Sequence, residues 1–293
     1  MQYFLCLYQE GSVSRAAKRL NIVAPALSMQ VTKLEDELGR QLFVRGPKGM
    51  EPTADGRRMF ELFEPHVRGF AQAREAMASS ATNLSGEVRI GAVGTVAQGV
   101  LIDVIGDFCA RHPRVSISIT DGYGPSLVDA LAHGRVEAAI INKMRHPTHM
   151  LVSDLKEEEL LVLTGPKHRE LGRAVGIKDV GNLKLALPTL QDGIRGLIQV
   201  QAEKHNVDIT PVVQLDSIPA RLRLVSEQDF ATILPRGVAA LYAASFGLNL
   251  SSVSPNLYRS LVIVTHPHRS LAPQTSAFID LLIKSVREGV EQS

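Results

Sequence analysis

Between Ala24 and Leu38 one stretch sorts its side chains by chemistry. Leu27, Val31, Leu34 and Leu38 recur at steps of four, three and four, the repeat of one helical face. The outward positions differ along its length: Pro25, Ser28, Met29, Thr32 and Lys33 come first, then Glu35, Asp36 and Glu37. Hydroxyl and ammonium groups suit the base edges and phosphates of a duplex, and three adjacent carboxylates do not. Any groove this helix enters is therefore entered by its first half, and the positive end of the helix dipole points the same way.

The neighbouring sequence frames that helix. Gly11-Ser12 breaks an apolar run over residues 3–8. Ser12 or Ser14 is placed to cap a short helix over 14–20, in which Ala16-Ala17 permits close packing. Residues 21–23 make a tight turn, Pro25 suits the first turn of the second helix, and Gly39 ends it. Two helices, a short turn and a polar outer face make a helix-turn-helix. Beyond it, two short extended runs flank Gly46-Pro47-Lys48-Gly49, a hairpin that sets Arg45 and Lys48 beside the helices as a wing for backbone phosphates. Charge agrees with a polyanionic partner. Residues 1–60 hold nine Lys and Arg against six Asp and Glu, whereas the whole chain holds 32 against 30, so the N-terminal fifth is net +3 and the remainder −1.

Thr53 is placed to cap a long helix with Asp55 in its first turn. Met59, Phe63, Val67, Phe70 and Met77 keep a rough helical stripe along it. Pro65 costs about 3 kcal/mol inside a helix, so a kink or break is expected near 61–65. Residues 79–86 are small and polar and read as a hinge. From Glu87 the pattern alternates strands and helices. Strands are expected over 88–92, 115–120, 136–141, 160–164, 185–187, 212–215, 230–234 and 261–265. Helices are expected over 98–111, 126–133, 195–204, 218–226, 237–244 and 273–288. This is an α/β pattern with mainly parallel pairing.

Other chemistries are weaker. Gly91 to Gly99 joins a strand to a helix, but its glycines lack the G-x-G-x-x-G spacing of a dinucleotide site. Exposed N–H groups and the Thr95 hydroxyl at that helix start would bind a carboxylate or similar anion, or Thr95 simply caps the helix. His146-Pro147-Thr148-His149 and His266-Pro267-His268 lack nearby Cys or carboxylate partners and read as solvated loops, so no metal is expected. Lys156-Glu157-Glu158-Glu159 reads as a charged surface run. There is no G-x-S-x-G, P-loop or HExxH motif, so neither a catalytic residue nor a cofactor is expected.

The chain has 293 residues, 45% apolar and 21% charged, which suits two globular domains. Absence of Trp and only 5% aromatic residues argue against a stacking surface for sugars or single strands. No signal peptide or membrane span is read, and two distant cysteines, Cys6 and Cys109, fit a reducing cytoplasm.

Gly11-Ser12-Val13-Ser14-Arg15-Ala16-Ala17-Lys18-Arg19-Leu20, Ala24-Pro25-Ala26-Leu27-Ser28, Leu34-Glu35-Asp36-Glu37-Leu38-Gly39, Leu42-Phe43-Val44-Arg45 and Pro52-Thr53-Ala54-Asp55-Gly56 closely resemble the DNA-binding domain of LysR-type transcriptional regulators. Ala24 and Met29 stand where that family often has Gln and Arg or Gln. Residues 88–91, Phe108-Cys109-Ala110-Arg111-His112-Pro113, Gly134-Arg135-Val136-Glu137-Ala138-Ala139 and Ile233-Leu234-Pro235 resemble, more loosely, the family's effector domain.

The resemblance implies a winged helix-turn-helix over 1–52, a linker and dimerisation helix over 53–82, and an α/β effector domain over 87–293. That domain would comprise two Rossmann-like subdomains, similar to periplasmic binding proteins: 87–159 with 265–293, and 160–264. The resemblance adds Ser12, Ser14, Arg15 and Ala26 to the DNA-contacting set. It puts a small-molecule effector at Gly94, Thr95, Val96 and Tyr123 on one subdomain and at Pro188, Thr189 and Ile233 on the other. Its implied partners are double-stranded DNA, a second copy or three, and RNA polymerase. The competing reading is a solute-binding or enzymatic α/β protein whose N-terminal helices only dimerise.

Overall fold

The computed structural model describes residues 1–46, 49–78, 84–144, 149–168 and 171–290, with backbone alone at 65, 68–78 and 288–290. The chain divides into two compact units, Met1–Ser80 and Ala81–Ser293.

The first unit runs α1 (Gln2–Glu10), α2 (Val13–Arg19), α3 (Ala24–Leu38), β1 (Phe43–Gly46), β2 (Gly49–Pro52) and α4 (Ala54–Ala78). Its core is the meeting of apolar faces: Phe4 and Leu7 of α1, Ala16 and Ala17 of α2, Leu27 and Val31 of α3, then Leu42, Phe43 and Met59. The paired alanines let α2 sit close on both neighbours, and the Phe4 and Phe43 rings meet at 5.4 Å. Gly39 adopts φ 62° and closes α3, its N–H donating to the Asp36 carbonyl. That left-handed turn favours glycine. Gly49, at φ +130°, lies against the Gly11 carbonyl where any Cβ would collide, while Met50 N–H donates to that same carbonyl at 2.9 Å. The wing is thereby tied to the α1–α2 turn. Thr53 Oγ1 accepts the Gly56 N–H at 3.0 Å and caps α4. The expected break at Pro65 is absent: α4 runs unbroken through it.

The second unit is two lobes on one continuous sheet. The first lobe holds β3 (Gly86–Ala92), α5 (Gly94–Ala97), α6 (Val100–Arg111), β4 (Val115–Asp121), α7 (Gly124–Ala132) and β5 (Ala138–Asn142). The long β6 (Leu151–Thr164) crosses into the second lobe. There follow β7 (Ala174–Gly176), α8 (Ile177–Val180), β8 (Ala186–Leu187), α9 (Gly193–Lys204), β9 (Val213–Gln214), α10 (Ile218–Glu227), β10 (Ala231–Pro235) and α11 (Arg236–Phe246). The equally long β11 (Asn249–Thr265) returns, and α12 (Pro273–Val290) closes the first lobe. Strand order is β10-β6-β11-β5-β3-β4, with β7 on β11 and a separate β8-β9 pair.

The expectation of mainly parallel pairing is corrected by β6 and β11. They pair with each other antiparallel over most of their length, and β10 and β5 join them antiparallel on either side. Parallel pairing survives where helices cross over the sheet, as in β3 with β4 and β5. The expected helix over 98–111 is α6, starting at Val100, and a short helix the sequence reading lacked, α5, precedes it before Gly99. Each lobe has its own core. The first centres on β3, β5 and the faces of α6 and α12, where Phe108 and Phe278 meet edge-on at 5.3 Å. The second packs β6 and β10 between α9 on one side and α10 and α11 on the other. Among the described residues, no helix is long and apolar enough to cross a membrane.

Leu27 is fully buried at the α1–α3 crossing. Leu27→Ala is expected to cost the first unit about 2–5 kcal/mol, read as a lowered denaturant midpoint for that unit.

Candidate nucleic-acid interface and interlobe cleft

The helical face read from the sequence is sorted over the first part of α3. Leu27 and Val31 are buried and Leu34 is half-buried, while Pro25, Ser28, Met29, Thr32 and Lys33 are exposed, Met29 at 63%; Leu38, expected on the buried face, is exposed at the helix end. Val23 and Pro25 start the helix, and the polar positions follow within its first turns. Ala26 is half-buried. Ser12 occupies the cap position of α2 without a side-chain cap bond; Ser14 is exposed beyond it. Arg15 donates to the Glu10 carbonyl and lies 3.7 Å from the Glu10 carboxylate, yet stays largely exposed. Arg45 is exposed on β1. Lys48 lies outside the described residues.

Glu35 does not join the outward acids. Its Oε1 accepts the backbone N–H groups of Leu42 at 2.6 Å and Phe43 at 3.1 Å, the start of β1. A carboxylate that takes two buried-edge N–H groups fixes where the wing leaves the helix. Asp36 and Glu37 remain exposed and keep the second half of α3 negative.

The second unit holds a cleft of about 420 Å³ between its lobes. The first lobe gives it Gly94, Thr95, Gln98, Asp121, Tyr123 and Asn142. The second gives Asp192, Gly193, Asp216 and Ser217. Of the residues expected there, Gly94, Thr95 and Tyr123 line it. Val96 and Ile233 do not: Val96 packs in the first lobe's core, and Ile233, at 0% exposure, in the second's. Val96 points inward from the same short helix, α5, whose Gly94 and Thr95 reach the cleft, and Ile233 points inward from β10. Pro188, also expected there, is buried and does not line it. Thr189 stands behind the lining, donating its N–H and hydroxyl to Asp216 at 2.8 and 3.2 Å.

Hydrogen bonds cross the cleft. Tyr123 of the first lobe pairs with Asp216 of the second. Tyr242 Oη donates to Gln98 Oε1 at 3.1 Å. The bond to Asp216, with burial, raises the Tyr123 hydroxyl above its usual range. Burial alone would lift the Asp216 carboxyl. The bonds from Tyr123 and Thr189, with the nearby Arg221 charge, outweigh it and hold that carboxyl low. Asp192 caps α9 by accepting the Ile194 N–H at 2.7 Å, and burial pushes its carboxyl up despite that bond.

Beneath the cleft lies a pair that corrects the reading of residues 156–159 as surface charge. Glu158 faces Arg259 directly across β6 and β11. Arg259 is 2% exposed and donates from Nε and Nη2 to Glu158 Oε2 at 2.9 and 2.6 Å. Its Nη1 donates to Thr95 Oγ1 at 2.5 Å and to Asn142 Oδ1 at 3.5 Å. The other Glu158 oxygen accepts the Gly237 N–H at 2.9 Å, at the start of α11. Glu159, on the opposite strand face, is equally buried and pairs with Arg236 and Asn256. Thr95 is thus held by a buried guanidinium at the strand crossing, beyond the capping or anion-binding roles open to it in the sequence. Burial outweighs the Glu158 attraction and lowers the Arg259 pKa.

Removing one partner of such a pair strands a buried charge. Glu158→Gln is expected to cost the second unit about 3–5 kcal/mol in chemical denaturation, whereas loss of an exposed pair costs about 1 or less.

With this geometry in place, the comparisons are specific. Residues 1–57 match the bacterial regulatory helix-turn-helix protein domain of the lysR family, and residues 81–287 match the LysR substrate binding domain. The chain is 28% identical to the nitrogen assimilation regulatory protein nac of Klebsiella aerogenes, over 98% of this chain and 94% of that one. It is 27% identical to an SDS degradation transcriptional activation protein of a Pseudomonas strain, over 97% and 94%. Among solved structures, a full-length OxyR from Pseudomonas aeruginosa aligns with TM-score 0.72 at 23% identity, covering 98% and 96% of the two chains. CbnR in complex with its target DNA aligns with TM-score 0.57 at 18% identity, covering 97% and 98%. The helix-turn-helix unit, the two-lobed α/β unit and matches over both place this chain in the LysR family of bacterial transcriptional regulators.

Proposed function

We propose that this regulator reads a two-fold DNA site through the first half of α3, with Ser28, Met29, Thr32 and Lys33 toward the bases and backbone. The wing and α2 contact phosphates through Arg45, Arg15 and Ser14. The observation that carries this reading is the exposure of that half-face while its leucine and valine are buried beneath it. The segregation of Asp36 and Glu37 to the far end of α3 supports the same docking direction. A pair of recognition helices requires a dimer, and Leu62 and Phe63, exposed on α4, offer an apolar seam for one. The site of action is cytoplasmic, where the DNA is.

We further propose that a small molecule binds between the lobes and shifts their closure, which reaches the DNA as altered spacing of the paired recognition helices. Residues of both lobes line the same cleft, and Thr95 and Asn142 in its wall touch Arg259 at the strand crossing. The effector therefore has a direct physical handle on the hinge strands.

Gel-shift titration against the protein's own upstream region, at two salt concentrations, tests the DNA reading. Affinity should fall with a log–log slope near −0.9 per phosphate contacted. Lys33→Ala should weaken binding across sequences and reduce that slope by about 1. A salt-independent, weak association would instead favour a solute-binding protein whose N-terminal helices only dimerise.

A further inference from the structure

The cleft's lining is acidic where an anion was expected. Asp121, Asp192 and Asp216 face it, and among its described lining residues there is no Lys, Arg or His. Asp121 has no hydrogen-bond or ion-pair partner among the described residues; its carboxylate rests over Gly94, 3.4 Å from where a Cβ would lie. One further charge is turned to this wall. Arg221, 2% exposed on α10, acts electrostatically on Asp192, Asp216 and Tyr123, yet its Nε and Nη1 find no hydrogen-bond partner among the described residues. Arg259 also lies close but is neutralised by Glu158. Three carboxyl groups set against one guanidinium leave the wall net acidic. An incoming carboxylate would be repelled, and an ammonium would be drawn in.

The cleft continues into a recess of about 210 Å³ that shares Asn142, Asp192 and Gly193 with it. Pro125, Met144, Leu190 and Leu197 give it an apolar side, beside the polar Gln191. Leu190 is 71% exposed, a large apolar side chain without cover at the cleft's edge. Lys143 also borders the recess, but its ammonium is 2.9 Å from Asp154 and paired to it.

We infer that the effector is an organic cation, a protonated amine on a compact apolar body. Its ammonium sits among Asp121, Asp192 and Asp216, and its body covers Met144, Leu190 and Leu197. This rests on the reading of the cleft as the effector site. The ligand's charge completes the wall, so binding draws Asp121 of the first lobe toward Asp192 and Asp216 of the second and favours closure.

Isothermal titration of the full-length protein with three probes on one body decides the matter: isopentylamine, isocaproate and isopentanol. Isopentylamine should bind at least about tenfold more tightly than either of the others, the worth of one charge-assisted contact. Asp121→Asn should lower that affinity about tenfold, and Asp121→Glu, which keeps the charge, should retain it. Both substitutions are at an exposed position, and an unchanged unfolding temperature checks that the fold is intact. Isocaproate binding as tightly as the amine, or no amine binding at millimolar concentration, overturns the cationic class. If isocaproate binds and Asn142→Ala abolishes it, the class falls while the cleft reading stands. If an amine binds but Asp121→Asn, Asp192→Asn and Asp216→Asn all leave its affinity unchanged, the cleft reading itself falls.

Discussion

The pairing of Glu158 with Arg259 is the interaction around which the effector unit is built. A guanidinium with 2% exposure needs a counter-charge and acceptors for its donors, and both come from one cross-strand neighbour and two cleft residues. The pair sits on the only two strands among the described elements that span both lobes. Its partners are a cleft threonine, a cleft asparagine and the first turn of α11. Any movement of the lobes must be compatible with that network, because a buried ion pair that is half broken is costly. The cleft can therefore change shape by small rotations about β6 and β11, but not by separating them.

The DNA-binding unit uses the same physics on a smaller scale. Glu35 turns inward from a helix otherwise acid on its outer end and accepts two N–H groups at the start of β1. Gly49 brings β2 against Gly11. The Glu35 carboxylate thus fixes the wing to α3, a backbone contact fixes it to the α1–α2 turn, and the polar face of α3 is presented on that support. On the proposed docking, specificity lies with a few side chains, of which Met29 is apolar and suited to contact with a thymine methyl group rather than to hydrogen bonding.

The sequence made the first unit legible because one periodicity governs it. Leu27 and Val31 at helical spacing, Gly39 after them and Thr53 ahead of α4 each act locally. The second unit was legible in its elements and less so in its pairing. The charged run 156–159 looked like surface because four charges in a row rarely enter a sheet. It is in fact the middle of β6, where alternate side chains find Arg259 on one face, and Arg236 and Asn256 on the other. Those partners lie 77 to 101 residues away along the chain, so no local pattern could reveal them. The cleft was half legible for the same reason. Gly94, Thr95 and Tyr123 follow strand ends and are recognisable, whereas Asp192 and Asp216 come from loops beside helix caps and carry no periodic signal. Ile233 shows the opposite error, a motif residue whose side chain points into the core.

The proposed docking sets the first half of α3 against DNA and leaves its second half away from it. Site-specific photocrosslinking measures this directly, with a photoreactive group placed on the full-length protein at position 29 or at position 36 and a duplex carrying its binding site. Crosslinking to bases is expected from position 29 and little or none from position 36. Equal crosslinking from both, or crosslinking from position 36 alone, would contradict it.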